Sequence, residues 1–227
     1  MPLRVFAVLI GVTLAGELAL GGAVRVWDGG GADNRWLTPS NWVGDVAPAA
    51  GDTLAFPTNA SHSMNNFPAY TRFDSLLISN TTHFTGNPVA INSGITVFAT
   101  DLPHVPVFFM PVAMTAPQTF RVSTEGVWSV VRFLEAINTQ GHEITLDPSG
   151  TNHAVDIGGD FNGSGGITGA GGVRKIGRGN VWLYASGSTY SGLTHIVEGG
   201  VGMTRGSALG SSAVGTIVEA GAELILL

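Results

Sequence analysis

"THIVEGGVGMTRGSALGSSAVGTIVEAGAELILL" (residues 194–227) nearly repeats itself. Ile196-Val197-Glu198-Gly199-Gly200 aligns with Ile217-Val218-Glu219-Ala220-Gly221 at an offset of 21 residues. The match continues from Val201 to Ala222 and from Met203 to Leu224. Self-similarity at such a period is the signature of a stacked repeat. Successive side chains of a strand point to opposite faces, so one apolar set faces inward while Glu198 meets water or the next coil. Gly199 and Gly200 allow a sharp corner. A single coil cannot bury its own inner face. The equivalent strand one period later is expected to pair with it in parallel, each coil burying its neighbour's apolar surface at about 25 cal/mol per Å². The expected columns are Ile196 under Ile217 and Val197 under Val218. The period suits a coil of three short strands and three turns, and the leucine-rich pattern of similar period is missing.

Composition agrees. Of 227 residues 33 are Gly and only 11% are charged. The chain is too apolar for disorder, and its Gly, Val, Thr and Ser favour many short strands over long surface helices. The net charge of −6, without a Lys/Arg cluster, gives no counterion-release drive towards nucleic acid and no polybasic patch for an anionic membrane. Cysteine is absent, which excludes disulfides and thiolate chemistry.

Four zones follow. Residues 1–23 combine Arg4, an apolar run from Val5 to Leu14 and a small-x-small pattern at Gly21 and Ala23, which is expected to be a secretory signal peptide. Residues 24–58 are Trp- and Asp-rich and are expected to cap the first coil. Residues 59–150 carry short apolar runs with strand grammar, punctuated by Pro103, Pro106, Pro111 and Pro117. Within them "VVRFLEAINT" (130–139) suits a short helix or a strand. Residues 151–227 are Gly-rich, regular coils. The last of these, Leu224 to Leu227, presents an apolar edge, which is expected to be covered by further coils of a longer polypeptide or by another chain.

"GGVRKIGRGNVWLYASGSTYSGLTHIVEGGVGMTRGSALG" (171–210) resembles the autotransporter-associated β-strand repeat, also called the passenger-associated transport repeat. Gly171, Gly172, Lys175, Gly177, Gly179, Leu183, Tyr190, Gly192, Thr194, Gly199, Ala208, Leu209 and Gly210 carry the resemblance. Val181 and Trp182 depart from its Leu-x-Leu pair, and Met203 replaces an aliphatic. Residues 26–57, through Trp27, Trp36, Asn41, Trp42, Pro48, Gly51, Asp52 and Phe56, and residues 72–95 are similar to segments that precede such repeats. The resemblance implies an all-β, right-handed parallel β-helix exported to the bacterial cell surface, without implying an enzymatic activity.

Several constellations invite chemistry. Asp160, Asn162, Ser164 and Gly165 begin like a calcium loop, but Gly171 stands where a bidentate Glu belongs, and an Asx-type corner is the favoured reading. Trp27, Trp36 and Trp42 are candidates for stacking on sugar rings or for a core cap. His62, His83, His104, His142, His153 and His195 show no metal-binding spacing. Asp156, Asp160, Arg174, Lys175 and Arg178 are the charged groups a β-helical lyase or glycosidase would draw on, with Arg174-Lys175 reading first as a solvated turn. The expected function is a secreted, non-enzymatic, adhesin-like passenger or scaffold, with a polysaccharide-degrading enzyme or glycan-binding module as alternatives. Expected partners are surface glycans, host or matrix proteins, and further repeat coils, with no nucleic acid, no cofactor and no membrane contact beyond export or an anchor.

Overall fold

A computed structural model describes residues 22–57, 62–98, 104–123, 127–159 and 165–227. The signal-peptide reading of residues 1–21 and the calcium candidates Asp160, Asn162 and Ser164 lie outside the described residues. Twenty strands follow in chain order: β1 (Val24–Val26), β2 (Thr53–Phe56), β3 (His62–Asn65), β4 (Thr71–Ile78), β5 (His83–Gly86), β6 (Val89–Val97), β7 (Val107–Phe108), β8 (Val112–Met114), β9 (Gln118–Val122), β10 (Ser129–Phe133), β11 (Ile137–Asn138), β12 (Ile144–Pro148), β13 (His153–Ile157), β14 (Ile167–Thr168), β15 (Val173–Lys175), β16 (Asn180–Leu183), β17 (Thr194–Ile196), β18 (Gly200–Met203), β19 (Thr216–Val218) and β20 (Glu223–Leu226). The segment 130–139 is strand, β10 and β11, rather than helix. Its β-branched Val130 and Val131 suit a pleated surface.

The strands form two parallel sheets. The first runs β1-β2-β4-β6-β9-β12-β15-β17-β19, with β8, β11 and β14 as a short third side in the middle coils. The second runs β3-β5-β7-β10-β13-β16-β18-β20. The chain passes from one sheet to the other in every coil, so each strand pairs with its counterpart one coil away. This is the expected all-β parallel β-helix, a β-solenoid.

Two inward columns build the core. In the first sheet Leu54, Leu76, Ile95, Phe120, Leu146, Lys175, Ile196 and Val218 stand in register. In the second, Phe84, Phe108, Phe133, Ile157, Leu183, Met203 and Leu226 do so. The rings of Phe84 and Phe108 stack at 4.6 Å, and those of Phe108 and Phe133 at 4.7 Å.

The register of the last coils differs from the 21-residue alignment. Ile196 pairs with Val218, and His195 pairs with Ile217. Thr194 accordingly pairs with Thr216, and the Glu219 N–H donates to the Ile196 carbonyl at 2.9 Å. A slip of one residue exchanges the two faces of a strand. Val218 therefore continues the inward column, whereas Val197 is half-buried outside it. The expected stacking of Val197 on Val218 in a shared interior is corrected to Ile196 on Val218. The matched Ile-Val-Glu letters occupy opposite faces because inward burial and the ladder set the register.

The N-terminal segment closes the first coil on both sheets. Arg25 of β1 sits in register above Leu54, and the Trp27 N–H donates to the Ala55 carbonyl at 2.8 Å. The Asp52 carboxylate ties this strand down, accepting from the Ala23 N–H at 2.7 Å, the Ala49 N–H at 2.9 Å and Arg25 Nε at 3.0 Å. Over the second sheet, Arg35 makes a parallel bridge to Met64.

Candidate functional site

The outer face of the second sheet gathers the chemistry. Ser63 and Phe84 face inward, so their neighbours His62, Met64, His83 and Thr85 lie on the outside, in register as His62 with His83 and Met64 with Thr85. The cap extends this face by one rung. The Met64 N–H donates to the Asn34 carbonyl at 2.7 Å, and the Trp36 N–H donates to the Met64 carbonyl at 3.0 Å. An open cleft of about 330 Å³ lies at this junction, between Asp33, Asn34 and Arg35 of the cap and His62, Met64 and Thr85 of the first rungs. Ser63 also borders the cleft, although its side chain faces inward, where the hydroxyl makes no hydrogen bond to a described residue.

The cap holds the cleft's charges by local bonds. Asp33 accepts from the Arg35 N–H at 3.0 Å, the Thr38 hydroxyl at 3.1 Å and the Asn41 amide at 3.1 Å. These bonds hold its carboxyl below the usual carboxylate range, the Arg35 N–H contributing most. Asn41 is buried and fixes the loop further, accepting from the Gly31 N–H at 2.9 Å. The Arg35 guanidinium is exposed and has no hydrogen-bonded partner among the described residues. The imidazoles of His62 and His83 meet edge to face at 5.0 Å, and His83 meets Phe109 at 5.5 Å. The outer column continues through Val107, Arg132, Asp156, Trp182 and Gly202. Arg132 Nε binds Asp156 Oδ2 at 3.1 Å. The Trp182 ring covers Gly202 so closely that a Cβ there would come within 2.1 Å of Cζ3.

The sequence-derived candidates lie elsewhere. Trp27, Trp36 and Trp42 are 2%, 0% and 0% exposed. Trp27 and Trp42 meet edge to face at 5.1 Å, all three pack on Phe56, and Trp42 Nε1 donates to the Trp36 carbonyl at 2.8 Å. Rings packed in this way seal the first coil and offer no free face to a sugar. Of the five charged candidates Asp160 lies outside the described residues, and the other four are not gathered. Asp156 is on β13 of the second sheet, Arg174 and Lys175 are on β15 of the first, and Arg178 pairs at a corner with Glu198 at 3.7 Å.

Lys175 is not part of a solvated turn. Alternation along Val173-Arg174-Lys175 turns it inward, where it is 0% exposed. Its ammonium donates to the carbonyls of Ile176, Gly177 and Glu198 at 2.9, 2.7 and 2.8 Å. Burial lowers its pKa to about 8 against the pull of Asp147 and Glu198. Gly177 and Gly199, at φ +77° and +69°, shape the corner carbonyls around it, and a Cβ at Gly199 would stand 2.9 Å from Nζ.

The remaining histidines are dispersed. The His153 Nδ1 accepts from the Gly150 N–H at 2.8 Å, and the His195 Nε2 meets the Glu219 carboxylate at 2.7 Å. His104 is buried beside Ser129. Among the described residues no three His, Cys, Asp or Glu side chains converge as a metal site would require. Sequence reasoning missed the cleft, because Arg35 and Met64 are brought together only by the fold. The identical His62 and His83, one coil apart, were its one visible trace. No protein-family model matches this chain, and no curated protein or solved structure does either.

Proposed function

We propose that this chain is a secreted, non-enzymatic surface scaffold of the adhesin type, built on autotransporter-associated repeats, which holds its outer sheet faces in a rigid array for contact with other surfaces. The observation that carries the reading is the unbroken parallel ladder, nine strands long in the first sheet and eight in the second, closed by an aromatic cap at its first coil. Each coil buries its neighbour's apolar face, so stiffness accumulates along the stack while the outer positions stay free to vary. Gly177 and Gly199, both matched in the resemblance, support the repeat reading. They occupy the same kind of corner one coil apart and frame Lys175, a third matched residue.

The test is retention without turnover. Beads carrying the purified chain should be held on surfaces coated with cell-wall polysaccharides or matrix proteins, and the same chain should release no reducing ends or unsaturated sugars. Sugar release from any polysaccharide would overturn the non-enzymatic reading. Failure to be retained on every surface would overturn the adhesive one.

A further inference from the structure

We infer that the cleft between the N-terminal cap and the first rungs of the second sheet is a binding site for a neutral oligosaccharide, which leaves the cleft along the ladder His62, His83 and Phe109. The inference rests on the scaffold reading only in taking an outer face as the working surface.

Three observations carry it. The cleft's size of about 330 Å³ lies in the range of small-ligand sites and suits one or two pyranose rings. Its walls pair ring and thioether surface with hydrogen-bonding groups: His62 and Met64 on one side, Arg35, Asn34 and Thr85 around them. A pyranose has that same division, with C–H faces that lie against rings and hydroxyls at its rim. The Arg35 guanidinium carries five N–H donors, and none is engaged by a described residue.

Charge selects the class of sugar. Asp33 and Arg35 bring one negative and one positive charge to the cleft, and the two offset each other. A uronate or sialic-type carboxylate would gain Arg35 but meet Asp33, whose oxygens already accept three bonds and cannot turn away. A neutral sugar meets no such repulsion.

Periodicity supplies the direction. Successive rungs lie about 4.8 Å apart, close to the length of one pyranose residue in an extended chain. His62, His83 and Phe109 belong to successive rungs and touch ring to ring, and Phe109 is 45% exposed. A linear oligosaccharide anchored beside Arg35 would thus set about one sugar over each rung as it crosses the sheet, meeting His83 in a different orientation from the rings on either side.

Ligand-observed saturation-transfer NMR with cellohexaose, chitohexaose and mannohexaose, and with trigalacturonate as the acidic counterpart, tests this. At least one neutral probe should bind, Arg35→Ala should weaken it about tenfold or more, the effect of losing one charge-assisted contact, and His62→Ala should weaken it by about fivefold through the lost ring contact. Both side chains are exposed, so thermal melts of the variants should match the parent, and Arg178→Ala at a distant corner should bind as the parent does. Binding by no neutral probe, tighter binding of trigalacturonate, or unchanged affinity in both cleft variants would overturn the inference. If the beads above are still retained while the cleft variants bind like the parent, the cleft fails and the scaffold reading stands.

Discussion

The first and the last described coils treat similar aliphatic side chains differently. At the first coil the columns end under Arg25 and three interlocked tryptophans, and Leu54, Phe56 and Phe84 beneath them are fully enclosed. In the last described coil the columns place Val218, 42% exposed, and Leu226, 72% exposed. Similar aliphatic chemistry has therefore different energetic weight in the two coils, because burial arises from the neighbouring coil rather than from the residue itself.

The largest expected effect breaks this contrast directly. Trp36→Ala should destabilise the fold by about 3–5 kcal/mol, as expected for a fully buried large side chain, whereas Val218→Ala should stay within about 0.5 kcal/mol. Urea unfolding of both variants decides it, and equal losses would show that the two coils are equivalent. Next comes Lys175, which interrupts the column between Leu146 and Ile196. Its folded pKa of about 8 lies below the unfolded value near 10.5, so between these limits the unfolded chain binds more protons. Stability should therefore rise with pH from about 8 to about 10.5, by on the order of 3 kcal/mol. Lys175→Met should flatten that rise, read from urea midpoints at the two pH limits. A rise that persists in Lys175→Met would assign it to another group.

A smaller effect sharpens the comparison in the last described coils. The chain has no cysteine, so an introduced pair reports register without interference. Ile196→Cys with Val218→Cys should form a disulfide under mild oxidation, and Val197→Cys with Val218→Cys should not. The smallest effect lies near the capped coil. Asp74 sits at the β4 bulge and accepts from the hydroxyls of Ser93 at 2.7 Å and Ser75 at 3.2 Å and the amide of Asn92 at 3.3 Å. These bonds, Ser93 first, lower its pKa. Its contribution is thus present above the unfolded carboxyl pKa and is lost as pH falls through the lower folded value. Asp74→Asn should cost about 1 kcal/mol at neutral pH and progressively less in acid, measured by thermal melts.

The repeat near the end of the chain was enough to read parallel stacking, since glycine corners and short β-branched runs have few other uses. Its register was not legible. Ile196 and Ile217 are the same residue in the same local phrase, yet the faces are set by corner length and by contacts one coil away. Lys175 was half legible: alternation with Val173 turns it inward, but three backbone carbonyls at a corner leave no mark in composition. The tryptophans announced a cluster without announcing which surface they cover. The cleft needed the bridge between Arg35 and Met64, which no local pattern specifies.

The Phe84, Phe108 and Phe133 stack has one more consequence. Three like rings in one file make the middle coils nearly interchangeable from within, so an interior view would tolerate a folding error in which one coil takes its neighbour's place. The outward residues remove that ambiguity. His83, Val107 and Arg132 differ at the same three levels, and only Arg132 finds Asp156 above it. The core thus supplies cohesion that is indifferent to order, and the surface charges number the coils.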